Sequence, residues 1–194
     1  MMPLLHQEDG EQQLLNSGTD TDKRLSMNTK NLKNLIIDNR HRIVYISALL
    51  FTTVWCGSIV CAPLFSEAGG MLQKISAVIV MFFAPICHQS PIRSFHIGGH
   101  PMAVCARCFG IYGGFLLGLI VYFFIRGTEE KTSPPPYLLI AAASPMILQI
   151  ILSKFEIIPS TNIIRAVTGL LPGFISVCYI MPALNQLVDL KIKN

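Results

Sequence analysis

The residues best suited to chemistry lie close together in the chain: Cys87-His88, His96, His100 and Cys105-Ala106-Arg107-Cys108. Three cysteines and three histidines fall within 22 residues. Thiolates and neutral imidazoles are the ligands of tetrahedral zinc, and a Cys-x-x-Cys pair at a helix start offers two of the four. Cys87 supplies a third. The expected set is Cys87, His88, Cys105 and Cys108, with His96 or His100 as the alternative fourth ligand. The alternative matters because neighbours such as Cys87 and His88 reach one ion only through an unusual backbone. The same pair supports a second chemistry. A Cys-x-x-Cys near a helix N-terminus has a lowered thiol pKa and can cycle between dithiol and disulfide. Cys56 and Cys61 stand inside an apolar stretch, where structural burial is the simpler role.

Polar residues flank this cluster. Arg93 and Arg107 can stabilise thiolates or hold an anionic head group, and membrane anchoring would also account for them. Farther on come Thr161-Asn162, Arg165 and Thr168-Gly169. Asn162, Arg165 and Gly169 share one helix face. Polar groups facing the interior of a membrane bundle are usually functional. Arg93, Arg107, Tyr112, Asn162, Arg165 and Thr168 are therefore expected to line a polar pocket for a lipid or other anionic small molecule, with Gln149 as a candidate partner.

These groups need a scaffold, and composition says which kind. Of 194 residues, 52% are hydrophobic and only 13% charged, against about a quarter charged in soluble domains. No charge occurs between Arg42 and Glu67, a run of 24 residues, long enough to cross a hydrocarbon core of about 30 Å as helix. Apolar segments at about 43–65, 71–87, 103–125, 136–153 and 162–187 make an all-α, polytopic membrane helix bundle of four or five transmembrane helices. The second is the weak one. Its uncharged core is short and Pro85 sits near its end, so it either spans with Lys74 snorkelling or is re-entrant. The segments are too uniformly apolar for barrel strands, which would alternate. Glycines spaced by four, Gly110, Gly114 and Gly118, then Gly169 and Gly173, suit close helix packing.

The chain divides into a 1–42 tail and a 43–190 helical domain that carries the Cys/His loop at 87–108. The tail is polar and mixed in charge, so disorder is expected, with an amphipathic lead-in from Lys30 to Arg42. A cleavable signal peptide is not expected behind so long a polar stretch. Lys23, Arg24, Lys30, Lys33, Arg40 and Arg42 place the N-terminus in the cytoplasm, and the whole in the cell membrane. If all five segments cross, the cysteine loop is cytoplasmic and the C-terminus, with Lys191 and Lys193, lies outside against the charge rule. The net charge of +4 is scattered, and no basic stripe suggests nucleic acid. Oligomeric state is not legible.

Two family resemblances follow from these residues. The run Cys105-x-x-Cys108-x-x-x-Tyr112 is similar to the active-site segment of the vitamin K epoxide reductase family, small helical membrane proteins that pass electrons between thiols and quinones. The likeness covers one turn and helix. The broader run Cys87-His88-Gln89, Arg93-Ser94-Phe95, Cys105-Ala106-Arg107-Cys108, Gly110-Ile111-Tyr112 and Gly114 resembles the predicted membrane proteins called domain of unknown function 2085. Thr161-Asn162, Arg165, Thr168-Gly169 and Gly173 resemble the last helix of that family. The resemblance implies an acidic residue and a glycine just ahead of Gln149, and Ser144 to Gln149 contains neither.

The leading expectation is thus a membrane protein whose cytoplasmic-side loop binds a metal ion, zinc by its ligand types. The alternative is a quinone-coupled thiol-disulfide oxidoreductase using Cys105 and Cys108. A third class is an accessory structural membrane subunit.

Overall fold

The computed structural model describes residues 39–126, 133–156 and 160–193. The expected tail up to residue 38 lies outside them. Among the described residues the fold is all-α, with five helices and one small hairpin. Four helices are long and apolar enough to cross a membrane: α1 (Asn39–Ala68), α3 (Ala106–Arg126), α4 (Tyr137–Lys154) and α5 (Asn162–Lys193).

The fifth, α2 (Gly70–Phe83), has 14 residues. That makes about 21 Å of helix, short of the bilayer core. Gly69 at φ +70° and Gly70 at φ +61° reverse the chain after α1, a conformation that glycine adopts without a Cβ clash. α2 then doubles back along α1. The buried Ser76 hydroxyl donates to the Ala62 carbonyl at 2.7 Å, and Trp55 meets Phe83 edge-on at 4.9 Å. The helix stops at Phe83, and Ala84 ahead of Pro85 keeps helical angles, its N–H donating to the Met81 carbonyl.

The 87–108 loop is more ordered than its composition suggests. A single 3₁₀ turn (Pro91–Arg93) leads into antiparallel β1 (His96–Ile97) and β2 (His100–Pro101), with His96 opposite Pro101. Gly98 (φ +58°) and Gly99 (φ +79°) form the two-residue turn, the connection whose twist matches the strands.

α3 and α5 run parallel, with their glycines in the seam. Gly110 lies against Ala166, Gly114 against Leu170 and Gly118 against Phe174, so close that an added Cβ would strike main chain. Small residues permit this approach where lipid removes the hydrophobic drive between helices. α4 returns along α5. Its start meets late α5, where the Tyr179 hydroxyl donates to the Pro135 carbonyl at 2.7 Å. Its end meets early α3 through Arg107 and Gln149. α1 opposes α3 in direction. The Tyr45 hydroxyl donates to the Leu119 carbonyl at 2.9 Å, and Trp55 lies 5.8 Å from Tyr112.

The bundle therefore has two distinct ends. One holds Tyr45, Leu119, Tyr122, Val177 and Met181. The other holds Ile59, Phe83, Cys87 and Val104. The cysteine loop stands at the end of the bundle opposite the first turns of α1, and α2 is too short to be among the helices that could cross.

Candidate metal centre

Each cysteine is positioned by a chain terminus. Cys87 closes the frayed end of α2, its N–H donating to the Phe83 carbonyl at 3.0 Å. Cys105 immediately precedes α3, and its carbonyl accepts from the Phe109 N–H at 3.0 Å. Cys108 follows in the first turn. The Cys105 N–H donates to the Cys87 sulfur at 3.2 Å, which ties the two segments together. All three sulfurs lie within 4.8 Å of one another. A tetrahedral ion with Zn–S bonds of about 2.3 Å needs sulfurs about 3.8 Å apart, so small rotamer changes suffice.

The surroundings are dry. Ile59, Met102 and Val104 are buried beside the sulfurs, with Trp55, Phe95 and Phe109 packed against them. Cys87 is only 5% exposed. A thiolate in such a place requires compensation. The Cys108 thiol hydrogen-bonds Cys105 and brings its pKa down to about 5, against the effect of burial. The backbone of Cys108, the thiol of Cys87 and the backbone of Arg107 add to the lowering. The contact thus favours one ionised sulfur, on Cys105, the form in which a cysteine binds a metal.

No histidine joins the group. His88 and His96 are exposed and His100 is half-buried on β2, and among the described residues the clustered donors are the three sulfurs alone. The reason is local. Gln89 adopts φ +48°, and its amide donates to the Val80 carbonyl at 2.6 Å and the Ala103 carbonyl at 2.8 Å. That staple carries Cys87 inward and leaves His88 turned to solvent. Three protein ligands with a fourth position free are the arrangement of zinc sites that engage water or substrate.

Of the expected polar pocket, Arg107, Arg165 and Gln149 meet. Arg107 Nη2 donates to Gln149 Oε1 at 2.7 Å, and Gln149 Nε2 donates to Ser160 Oγ at 2.7 Å. Arg165 Nε donates to the same hydroxyl at 2.6 Å. Asn162 Nδ2 donates to the Ser94 carbonyl at 2.9 Å, which docks Arg93 and the loop onto the start of α5. Thr168 does not join, because its hydroxyl donates to the Ile164 and Arg165 carbonyls of its own helix. Tyr112 sits with the sulfurs rather than with the arginines, its ring against Trp55. Ser94, Ser160 and the stapling role of Gln89 were not legible, since a serine in a loop carries no spacing signal. All six cysteines are free thiols.

Fold and site together define a polytopic α-helical membrane protein with a three-sulfur donor set at one end of its bundle. Residues 87–179 match the predicted membrane protein family DUF2085. An uncharacterised protein of Methanocaldococcus jannaschii is 40% identical over 154 residues, covering 78% of this chain and 96% of that protein. An uncharacterised protein of Methanothermobacter thermautotrophicus is 46% identical over 46 residues, covering 24% of this chain and 38% of that protein. The chain belongs to the DUF2085 family. No solved structure matches it.

Proposed function

We propose that this protein binds one zinc-like ion through Cys87, Cys105 and Cys108, with the fourth coordination position open to a ligand. The observation that carries the reading is the convergence of three sulfurs from two separate segments inside an apolar pocket. Packing alone explains one buried cysteine, not three in mutual contact. Zinc suits a set of thiolates with no carboxylate.

The proposal includes an orientation. Arg42 and Arg126 flank the Tyr45 end, α5 finishes there with Lys191 and Lys193, and the sequence ahead of α1 adds Lys23, Arg24, Lys30 and Lys33. The cysteine end has Lys74, Arg93, Arg107, Lys154 and Arg165. The excess of cations puts the Tyr45 end in the cytoplasm. In this cell-membrane orientation both termini are cytoplasmic and the sulfurs face the other compartment. Four crossings thus remove the conflict that Lys191 and Lys193 create with five.

Two observations favour the thiol oxidoreductase reading instead: the hydrogen-bonded Cys105–Cys108 pair with its lowered Cys105 pKa, and this outward placement, where disulfides persist. One experiment separates them. Metal analysis of the purified protein gives zinc near one per chain under the first reading, lost in Cys87→Ser, Cys105→Ser and Cys108→Ser. Absence of metal, together with a Cys105–Cys108 disulfide that a quinone re-forms, overturns it in favour of the second. Neither metal nor exchangeable disulfide leaves an accessory subunit.

A further inference from the structure

The same end of the bundle gathers three arginines around one thiolate. The charged groups acting on Arg165 are Arg93, Arg107 and the Cys105 thiol, and no carboxylate is among them. Arg107 and Arg165 are half-buried and are joined through Gln149 and Ser160 by three hydrogen bonds of 2.6–2.7 Å. Ser160 Oγ accepts from both Gln149 and Arg165, so these bonds fix the guanidiniums without neutralising them. Arg107 Nε is buried with no hydrogen-bond partner among the described residues. Guanidiniums held near one another repel, and a buried donor left unpaired is costly. One thiolate does not balance three guanidiniums, so the arrangement favours a further counter-charge.

Two backbone features point the same way. α3 and α5 are parallel, so their positive N-terminal ends lie at one end of the bundle, beside these arginines. Asn162, at the first turn of α5, holds the Ser94 carbonyl and so keeps Arg93 near. Helix N-termini and guanidinium forks are both recognition elements for tetrahedral oxyanions. Membrane anchoring does not explain these arginines, because they occupy the end with fewer cations.

We infer that Arg93, Arg107 and Arg165, with the N-termini of α3 and α5, form a binding site for a phosphate group. The site is independent of the metal proposal, since its donors are guanidinium and amide groups. The phosphate is carried by a membrane lipid or is free in solution, and the chemistry of recognition is shared.

The test uses the full chain purified in non-ionic detergent, with thermal unfolding followed against added short-chain phosphatidic acid, inorganic phosphate and uncharged diacylglycerol. A stabilising shift with phosphatidic acid alone identifies a lipid head group, and a shift with both phosphate compounds identifies a free phosphate group. Arg165→Gln is expected to weaken binding at least about tenfold, the loss of one charge-assisted contact. Gln149→Leu keeps every charge and weakens binding less, so it serves if Arg165→Gln does not fold. Arg126→Gln, at the other end, and Cys108→Ser, which removes a sulfur, are expected to keep the shift. No shift with either phosphate compound overturns the inference. So does a shift equal in Arg165→Gln, equal with diacylglycerol, or lost in Arg126→Gln.

Discussion

The two ends of this bundle are built from the same four helices and do different things with them. At the Tyr45 end, Leu119, Val177 and Met181 are wholly buried and the Tyr45 hydroxyl donates to a main-chain carbonyl. At the other end three sulfurs meet in an apolar pocket, Arg165 and Gln149 share the Ser160 hydroxyl, and Arg107 donates to Gln149. Both proposed sites lie at that end. The contrast separates residues that hold the bundle together from residues proposed to bind a ligand, and variants should sort accordingly.

The largest effect is expected where both ends depend on one seam. Gly114→Leu would drive a side chain into the Leu170 main chain and cost about 3 kcal/mol or more. Loss of monodisperse protein on size-exclusion chromatography, with zinc and phosphate binding lost together, is the expected result. Next comes acidification. Cys105 has its pKa lowered to about 5, so its thiolate is present above that value and is lost as pH falls through it. Protons compete with the metal for the ligands. Zinc retained at neutral pH should therefore be released as pH falls toward about 5, while far-ultraviolet circular dichroism stays helical.

Met181→Ala opens a cavity at the Tyr45 end and should lower stability by about 2 kcal/mol with zinc stoichiometry unchanged. A loss of zinc there would break the division between the ends. Tyr45→Phe removes one hydrogen bond and should cost about 0.6–1 kcal/mol by the same unfolding measurement. The smallest effect is expected from His88→Ala, His96→Ala and His100→Ala, each of which should leave the metal content at wild-type level. A drop in any of them would bring back a histidine as the fourth ligand.

The helical membrane architecture could be read from spacing alone, because an uncharged run such as Ile43–Ser66 has few other uses. The glycine seam was equally legible, since Gly110, Gly114 and Gly118 recur at helical spacing. The proximity of Cys87 to Cys105 and Cys108 was anticipated from residue types, but the exclusion of the histidines was not. That outcome depends on the left-handed turn at Gln89 and the carbonyls its amide finds at Val80 and Ala103, which are distant partners with no local signal. The reach of α2 was ambiguous for a related reason. Its apolar residues suit a short span and a re-entrant segment equally, and the reversal at Gly69 and Gly70 decides between them.

α4 packs along α5, and none of its residues is buried. A helix that meets lipid on nearly every side is specified by greasiness rather than by shape. Most of its positions should accept any apolar replacement, so random leucine, isoleucine, valine and phenylalanine libraries there should yield mostly folded protein. Gln149 is the exception, because a single amide on this interchangeable surface bridges Arg107 to Ser160.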